Sequence, residues 1–385
     1  MTRTKGKAVF GLLMASSAVL ALIGVFVLTD VGQLLGISKE MVVAYFQNHL
    51  LIMFLSVALF VVAIYVNRRF SFVRPWVLAT FGAVLLGCFI VTKYLVPYVM
   101  FPAQQHQAVY KSIEEVLAEE YLQPDDTVYV VSYNGVNRAF PQKFLWVSHI
   151  FGGDYGGEEV VLTYCVLTNL PIPYVNDLDG EPMDLKVLAQ TNNNLLMWDT
   201  RSGEIIQQIN NSCELSQRQL EPLPITEMTW KSYQALFPEG EVLYNPFEKP
   251  LERLLDVLMP LDEAHSGETW MFNTVALDDT RLPSKEKVIG IKDGGEAIAL
   301  TRDYVRTAGV VNVRVGDESI VIAHIPEHDI FVGFDRVKDG KAIEVSEVDV
   351  FGNTKEHGQL EPVFLYNGPM WAVWLHYHPD TTLLK

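Results

Sequence analysis

The first hundred residues alternate between long uncharged stretches and short polar links. The uncharged stretches are residues 8–28, 50–66 and 76–92. A helix rises 1.5 Å per residue, so about 20 apolar residues cross the roughly 30 Å hydrocarbon core of a membrane. The pattern predicts three transmembrane helices within residues 1–101, with the lipid bilayer as partner. A cleaved signal peptide would explain only the first stretch, so an uncleaved anchor is the better interpretation.

The basic residues of the short links predict the orientation of this anchor. They precede the first stretch or separate the second from the third, and the link 30–48 holds one lysine. The six residues are Arg3, Lys5, Lys7, Arg68, Arg69 and Arg74. Since basic links stay on the cytoplasmic side, we expect a cytoplasmic amino terminus in the cell (inner) membrane. Three crossings then place the large carboxy-terminal part in the periplasm or outside the cell.

The hydrophobic period changes twice after the third stretch. Residues 103–120 place Val109, Ile113 and Val116 at helical spacing, which predicts an amphipathic connecting helix within 102–126. From Thr127 onward, short β-branched and aromatic runs alternate with Gly, Asn and Asp clusters, a pattern typical of strands and turns. After the anchor we therefore expect a mainly β extracytoplasmic domain, of the β-rich α+β class.

This β-rich part contains an internal repeat whose first five matches have the same offset in sequence. The matching positions are Gly135 and Gly295, Ala139 and Ala299, Gly156 and Gly316, residues 160–162 and 320–322, and 179–180 and 339–340. The second copy is then shorter, and the sequence QLEP at 219–222 recurs at 359–362. The repeat predicts two tandem similar β units, 127–244 and 287–385, joined by a helical connection over 245–286.

Several short motifs resemble a prokaryotic family known as domain of unknown function 3179 (DUF3179). The segment Thr163–Asn169 (TYCVLTN) is similar to its TYCPLCN-like turn, and Trp374–Thr381 is similar to its closing W-x-H-x-H-P-D-T. The resemblance covers roughly residues 127–384 and marks Tyr164, Cys165, Asn169 and Asp380 as ligand or motif residues. Thr168 stands where the family carries a second cysteine, so a paired-thiolate role is in doubt. The family name implies no activity.

Composition and charge narrow the classes of function. The chain is 49% hydrophobic and has a net charge of −17. Residues 1–100 hold eight Lys/Arg and two Asp/Glu, about +6, which leaves 21 against 44, about −23, for the remainder. Because nucleic-acid binding needs a basic face, we expect no nucleic-acid partner.

The three cysteines leave several alternatives open. Cys88 lies inside the third predicted helix, whereas Cys165 and Cys213 lie in the predicted extracytoplasmic domain, where oxidation is permitted. These two could form a disulfide, Cys165 could be a buried inert thiol, or it could bind a metal.

Four histidines of the second unit are the candidate metal ligands. His324 and His328 belong to an H-x-x-E-H sequence, but Pro326 disfavours the helix that an inverted zinc peptidase requires. His376 and His378 alternate, which on a strand would send both imidazoles to one face. A transition metal such as zinc or copper would be their cofactor, with Asp380 orienting one ring. The alternative is a local polar turn with solvated histidines.

Two hypotheses of function follow. The first is a membrane-anchored extracytoplasmic binding or accessory module, non-catalytic or regulatory, which could dock on a larger membrane protein complex. Its basis is the anchor, the repeat and the lack of a complete catalytic constellation in the sequence. The alternative is a metal-dependent extracytoplasmic enzyme, or a metal-handling protein, that uses the four histidines, with Glu327 as general base.

Overall fold

A computed structural model describes residues 2–29, 31–119, 121–245, 270–275 and 277–385. Within them, three helical segments are long and apolar enough to cross a membrane: Arg3–Leu28, Lys39–Phe70 and Pro75–Met100. The predicted helical connection over 245–286 lies mostly outside the described residues.

The helices that could cross a membrane are longer than the uncharged stretches that predicted them. They are α1 (Arg3–Leu28), α3 (Lys39–Phe70) and α4 (Pro75–Ile90), and α4 continues as a wider, π-helical segment, Val91–Met100, that contains Pro97. The short α2 (Val31–Leu34) joins the first two. Thr2 and Ser38 cap the amino-terminal ends of α1 and α3 with their side chains. The 32 residues of α3 span about 48 Å, so this helix exceeds the thickness of the hydrocarbon core.

Polar side chains join the first two long helices in their apolar middle. The Ser17 hydroxyl donates to the Ser56 carbonyl oxygen, and the Ser56 hydroxyl donates to the Ser17 carbonyl oxygen, both at 2.8 Å. In a lipid environment a hydroxyl needs such a partner, and small residues allow two helices to approach closely. This pair fixes α1 against α3.

The carboxy-terminal domain consists of β-sheets arranged like the blades of a propeller. In the described residues there are five sheets of three or more strands and two two-stranded ribbons. The first sheet has the order β1-β12-β3-β2-β11 and the second the order β4-β5-β6. The third is β10-β9-β8-β7, the fourth β22-β13-β14-β23 and the fifth β15-β16-β17.

The strands of residues 109–244 are β1 (Val109–Ser112), β2 (Thr127–Tyr133), β3 (Val136–Pro141), β4 (Ile150–Tyr155), β5 (Glu158–Cys165), β6 (Leu170–Val175), β7 (Leu185–Thr191), β8 (Asn194–Asp199), β9 (Ile205–Gln207), β10 (Ser212–Cys213), β11 (Thr226–Thr229) and β12 (Glu241–Tyr244). Those of residues 287–384 are β13 (Lys287–Asp293), β14 (Glu296–Thr301), β15 (Val310–Val315), β16 (Glu318–Ile325), β17 (Ile330–Asp335), β18 (Val337–Lys338), β19 (Lys341–Ala342), β20 (Asn353–Thr354), β21 (Gly358–Gln359), β22 (Tyr366–Met370) and β23 (Thr382–Leu384). The short helices are α5 (Ile113–Ala118), α6 (Trp230–Leu236), α7 (Arg302–Ala308) and α8 (Trp371–Tyr377).

The strands β2 to β6 and β13 to β17 correspond one to one, since all five pairs share the offset that relates Gly135 to Gly295. The first sheet and the fourth also share their pairing: β11 is antiparallel to β2 as β22 is to β13, and β12 is parallel to β3 as β23 is to β14. Two-residue loops with positive φ close the hairpins β2–β3 and β13–β14, at Asn134–Gly135 and Gly294–Gly295.

The predicted connecting helix over 102–126 is wrong for most of its length. Residues 109–112 form the strand β1, which pairs antiparallel with β12, and the helix α5 covers only Ile113–Ala118. Ser112 and Glu115 form a capping box that starts this helix. The spacing of Val109, Ile113 and Val116 therefore spans two elements, because pairing with the distant strand β12 overrides the local helical pattern.

The sheet β7–β10 packs against the ends of the long helices. Phe46 of α3 contacts the Trp198 ring, with 5.1 Å between the centroids, and Lys93 Nζ lies 4.7 Å from the centre of the same ring. Lys39 forms an ion pair with Glu214 at 2.9 Å. The domain is thus docked directly on the helices that precede it.

Candidate functional site: a central polar belt

The TYCVLTN turn places a buried amide at the start of β6. Asn169 adopts φ 58°, and its Oδ1 accepts hydrogen bonds from the hydroxyls of Tyr129 (2.9 Å) and Tyr164 (3.0 Å) and from Gln142 Nε2 (2.6 Å). Three donors on one oxygen fix the orientation of the amide. Asn169 is fully buried, and its Nδ2 has no hydrogen-bond partner in the part of the chain that the structure describes.

A charge pair lies beside this amide and links the two halves of the domain, residues 109–244 and residues 287–385. Arg302, the first residue of α7, donates to both carboxylate oxygens of Glu227 on β11, at 2.7 and 3.2 Å. Arg302 also donates to Asn367 Oδ1 of β22 at 2.9 Å. Burial alone would raise the pKa of Glu227, but the charge and hydrogen bonds of Arg302 hold that pKa below its ordinary value.

Gly368 shows how closely the amide and the charge pair approach. This residue has φ 113°, and a Cβ added to it would lie 3.3 Å from Glu227 Oε2, 3.4 Å from Asn169 Nδ2 and 3.5 Å from Arg302 Nη2. A side chain here would enter the space between these polar groups, and its backbone would be strained. Glycine at this position lets the amide and the charge pair lie close to the backbone of β22.

The H-x-x-E-H segment contributes a second polar turn. His324 Nε2 lies 2.7 Å from Asp329 Oδ1, and Arg306 donates to both carboxylate oxygens of Asp329 at 3.1 Å. The hydrogen bonds from Arg306 hold the pKa of Asp329 below its ordinary value. The Phe331 ring lies between this turn and the charge pair, with the guanidinium carbons of Arg302 and Arg306 at 5.5 and 5.3 Å from its centre.

We call these residues together the central polar belt. Its members are Tyr129, Gln142, Tyr164, Asn169, Glu227, Arg302, Arg306, His324, Asp329 and Asn367. Tyr164 bonds to Asn169 and His324 bonds to Asp329, and the sequence offset that relates Gly135 to Gly295 also relates these two pairs. Chemically, the belt offers donors to an oxygen acceptor and a histidine–aspartate pair at its other end.

The structure does not bring the four predicted metal ligands together. His324 and His328 line one cavity of about 660 Å³, and His378 lines a different cavity of about 690 Å³. The described residues contain no group of three or more His, Cys, Asp or Glu side chains arranged to hold a metal ion. The zinc or copper site therefore has no geometric support in the described part of the chain.

The strand predicted for His376 and His378 is wrong. Trp371–Tyr377 forms the helix α8, and His378 caps its carboxy-terminal end. Asp380 is exposed, and its carboxylate has no hydrogen-bond partner among the described residues, so it does not orient either ring. In the other motif, Ile325 to His328 form a turn after β16, as Pro326 predicts.

Cys165 and Cys213 do not form the disulfide that the sequence allowed. Cys165 and Cys213 are both free thiols and both are buried. The Cys165 sulfur contacts Thr168 Oγ1 at 3.4 Å and the Asn193 carbonyl oxygen at 3.6 Å. Burial raises the pKa of both thiols, that of Cys213 to about 11, so the structure agrees with the buried inert thiol.

A family model described as protein of unknown function (DUF3179) matches residues 97–381. This match covers well over half of the chain. The chain belongs to the DUF3179 family. No curated protein and no solved structure matches it. The family description assigns no activity, so the function of this DUF3179 member is inferred from the central polar belt.

The sequence motifs predicted Tyr164, Asn169 and His324 but not the other members of the central polar belt. The seven other members come from several elements: Tyr129, Gln142, Glu227, Arg302, Arg306, Asp329 and Asn367. One signal was available: Gln142 and Arg302 occupy matching positions of the repeat, and each follows the strand of a matched pair, β3 or β14. Glu227 and Asn367 also match, because the register in which QLEP at 219–222 recurs at 359–362 places residue 227 opposite residue 367.

Proposed function

We propose that this DUF3179 member is a membrane-anchored binding module whose ligand occupies the central polar belt on the outer side of the cell membrane. The ligand presents acceptor oxygens, such as those of a carboxylate, an amide or a hydroxyl. The module acts by binding, as a non-catalytic or regulatory accessory protein.

The observation that carries this proposal is a set of unpaired donors of one type. Asn169 Nδ2, Asn367 Nδ2 and Arg302 Nε are buried and have no hydrogen-bond partner within the described ranges of the chain. Each buried donor without a partner costs about 1–3 kcal/mol, so native proteins rarely leave several of them together. A ligand oxygen would satisfy them.

The belt is within reach of solvent on one side. The side chains of Arg302 and Glu227 remain 18% and 14% exposed, whereas Asn169 is fully buried. A small ligand could therefore enter past the charge pair and meet the amides behind it. In small-molecule sites, a few placed polar groups of this kind fix the orientation of the ligand.

The outer location rests on the charges that flank the helices. Six basic residues flank the amino-terminal end of α1 and the link between α3 and α4, and the other two of the first hundred residues, Lys39 and Lys93, contact the docked domain. From the positive-inside rule we expect the domain outside the cytoplasm, in the periplasm or at the cell surface.

Duplication of one β unit explains how the belt arose. The matching strand bounds, the shared sheet order and the equivalent contacts of Tyr164 with Asn169 and of His324 with Asp329 support two tandem copies. The copies diverged at the residues that meet between them, which is where an asymmetric ligand would be recognised.

The test uses thermal unfolding of the full-length protein in detergent, with acetate, N-methylacetamide and glycerol as probes for the three kinds of oxygen. At least one probe should raise the melting temperature of the wild type in a saturable way. The Asn367→Asp variant keeps the acceptor for Arg302 but replaces the free donor with an oxygen, and it should lose that response.

The control is Asn137→Asp, which changes an amide outside the belt and should leave the response intact. If no probe stabilises the wild type, or if Asn367→Asp responds as the wild type does, the belt is not a binding site for acceptor oxygens.

A further inference from the structure

A second polar cavity lies where the long helices, the sheet β7–β10 and the second half of the domain meet. Its volume is about 690 Å³. The residues that matter here are Lys39 at the start of α3, Asn210 and Glu214 near β10, Lys292 on β13, and His378 after α8. The cavity is separate from the central polar belt, since none of the belt residues lines it.

Lys292 brings a cation into this cavity without a matching anion. Its Nζ donates to the Asn210 carbonyl oxygen at 2.7 Å and lies 5.6 Å from the centre of the Tyr366 ring. No carboxylate of the described residues forms an ion pair with it. Burial lowers the pKa of Lys292 to about 8, which is the behaviour of an ammonium group without a charge partner.

The carboxylates of the cavity wall have other partners. Glu214 pairs with Lys39 at 2.9 Å. Asp293 Oδ2 accepts from the Asp317 amide at 2.8 Å, and Glu296 Oε2 accepts from the Gly316 amide at 3.2 Å. Lys292 is therefore the one cation of the wall, among the described residues, that has no anion beside it.

His378 supplies a second group that lacks a partner. Its ring packs on Trp374, with 4.3 Å between the centroids, and its Nε2 is buried and forms no hydrogen bond with the described residues. Burial, together with the charge of Lys292, lowers the pKa of His378 to about 3, so the imidazole is neutral at physiological pH. A neutral imidazole with hydrogen on Nε2 can donate one hydrogen bond.

We propose that this cavity binds an anionic phosphate group, with the Lys292 ammonium as its cation and His378 Nε2 as a second donor. A charge-assisted hydrogen bond to phosphate is roughly twice as strong as a neutral one, and it would give the buried ammonium its missing partner. Because Lys39 begins a long apolar helix on the wall of the cavity, the phosphate belongs either to a free small molecule or to a lipid headgroup.

The experiment uses the full-length protein in a maltoside detergent, which carries no anionic group. One arm adds inorganic phosphate and the other adds phosphatidylglycerol. Amine acetylation at pH 8 is followed at each lysine by mass spectrometry. Bound phosphate should slow acetylation of Lys292 at least fivefold in a saturable way, while the exposed Lys231 reacts unchanged.

Binding measured by calorimetry in the same arms should weaken at least tenfold in Lys292→Met and less in His378→Asn, whereas Lys231→Met should bind as the wild type does. The arm that shows the effect identifies the source of the phosphate. Equal binding by Lys292→Met and wild type, or no protection of Lys292 in either arm, would overturn the proposal. The outcome is independent of the Asn367→Asp test, because the cavity and the belt share no residue.

Discussion

At the scale of single residues, the Arg302–Glu227 pair is the contact on which the central polar belt depends. Both side chains are mostly buried, so each charge relies on the other for its stabilisation. Replacing Arg302 with Met leaves the Glu227 carboxylate without its cation, and we expect the free energy of unfolding to fall by about 3 kcal/mol. Denaturant unfolding of the full-length protein in detergent measures this loss.

The double variant Arg302→Met/Glu227→Met is the control for that loss. Removing both charges should restore part of the stability, because an apolar pair leaves no buried charge uncompensated. If Arg302→Met alone unfolds within about 0.5 kcal/mol of the wild type, which is the usual range of a surface substitution, the pair does not hold the belt together.

His149 predicts how the stability of the domain changes with pH. This residue is fully buried, and its ring stacks on Phe101 with 5.1 Å between the centroids. Burial lowers the pKa of His149 from 6.5 to about 4. Between pH 6.5 and pH 4 the unfolded chain therefore binds a proton that the folded chain does not. The free energy of unfolding falls as the pH is lowered through that window.

The contribution of His149 to this fall is about 3 kcal/mol, because one unit of pKa corresponds to about 1.4 kcal/mol. Unfolding free energies at pH 7 and pH 4 should differ less in His149→Leu than in the wild type. An unchanged difference in the variant would assign the acid sensitivity to other groups.

At the scale of elements, the sheet β7–β10 distinguishes the two halves. The segment from Gly180 to Gln219 is about twice as long as the matching segment from Gly340 to Gln359. The longer segment carries β7–β10, and the shorter one carries only the ribbon strands β20 and β21 with the second strand, β19, of the ribbon β18–β19. The additional sheet packs against the long helices.

Truncating Trp198 should loosen this docking. The Trp198 ring contacts Phe46 and Lys93, so Trp198→Ala removes the aromatic contact with α3 and the cation contact with the π-helical continuation of α4 together. We expect a loss of about 2 kcal/mol and faster amide hydrogen exchange in β8 and in the first turns of α3. Trp76→Ala, which truncates an exposed tryptophan of α4, should leave that exchange unchanged. Equal exchange in both variants would mean that Trp198 does not fasten the domain.

Elements with a strong local pattern were predictable from the sequence, and elements set by distant pairing were not. The uncharged stretches predicted three helices, and the Gly, Asn and Asp clusters after Thr127 marked turns between strands. The strand β1 was missed because its partner β12 is far away in the chain. His376 and His378 alternate by coincidence at the end of α8, whose apolar residues Trp371 to Leu375 form a continuous buried run. The belt itself unites side chains from both halves, which no local pattern can indicate.

At the scale of the whole molecule, the helical part and the acidic domain are suited to opposite electrostatic environments. Residues 1–100 carry about +6 and the remainder about −23. Anionic lipids repel an acidic domain, and the direct contacts of β7–β10 hold this domain against the helices. In the proposed orientation, the belt and the phosphate cavity both face the outer side of the membrane.

The central claim of the proposed function is that the domain stands outside the cytoplasm on three transmembrane helices. Labelling of single introduced cysteines with a membrane-impermeant maleimide in intact cells tests it most directly, since Cys165 and Cys213 are buried. Ser346→Cys, exposed in the second half of the domain, should react without permeabilisation, and Ser71→Cys, exposed between α3 and α4, should react only after it. The opposite pattern would place the domain in the cytoplasm and contradict the account.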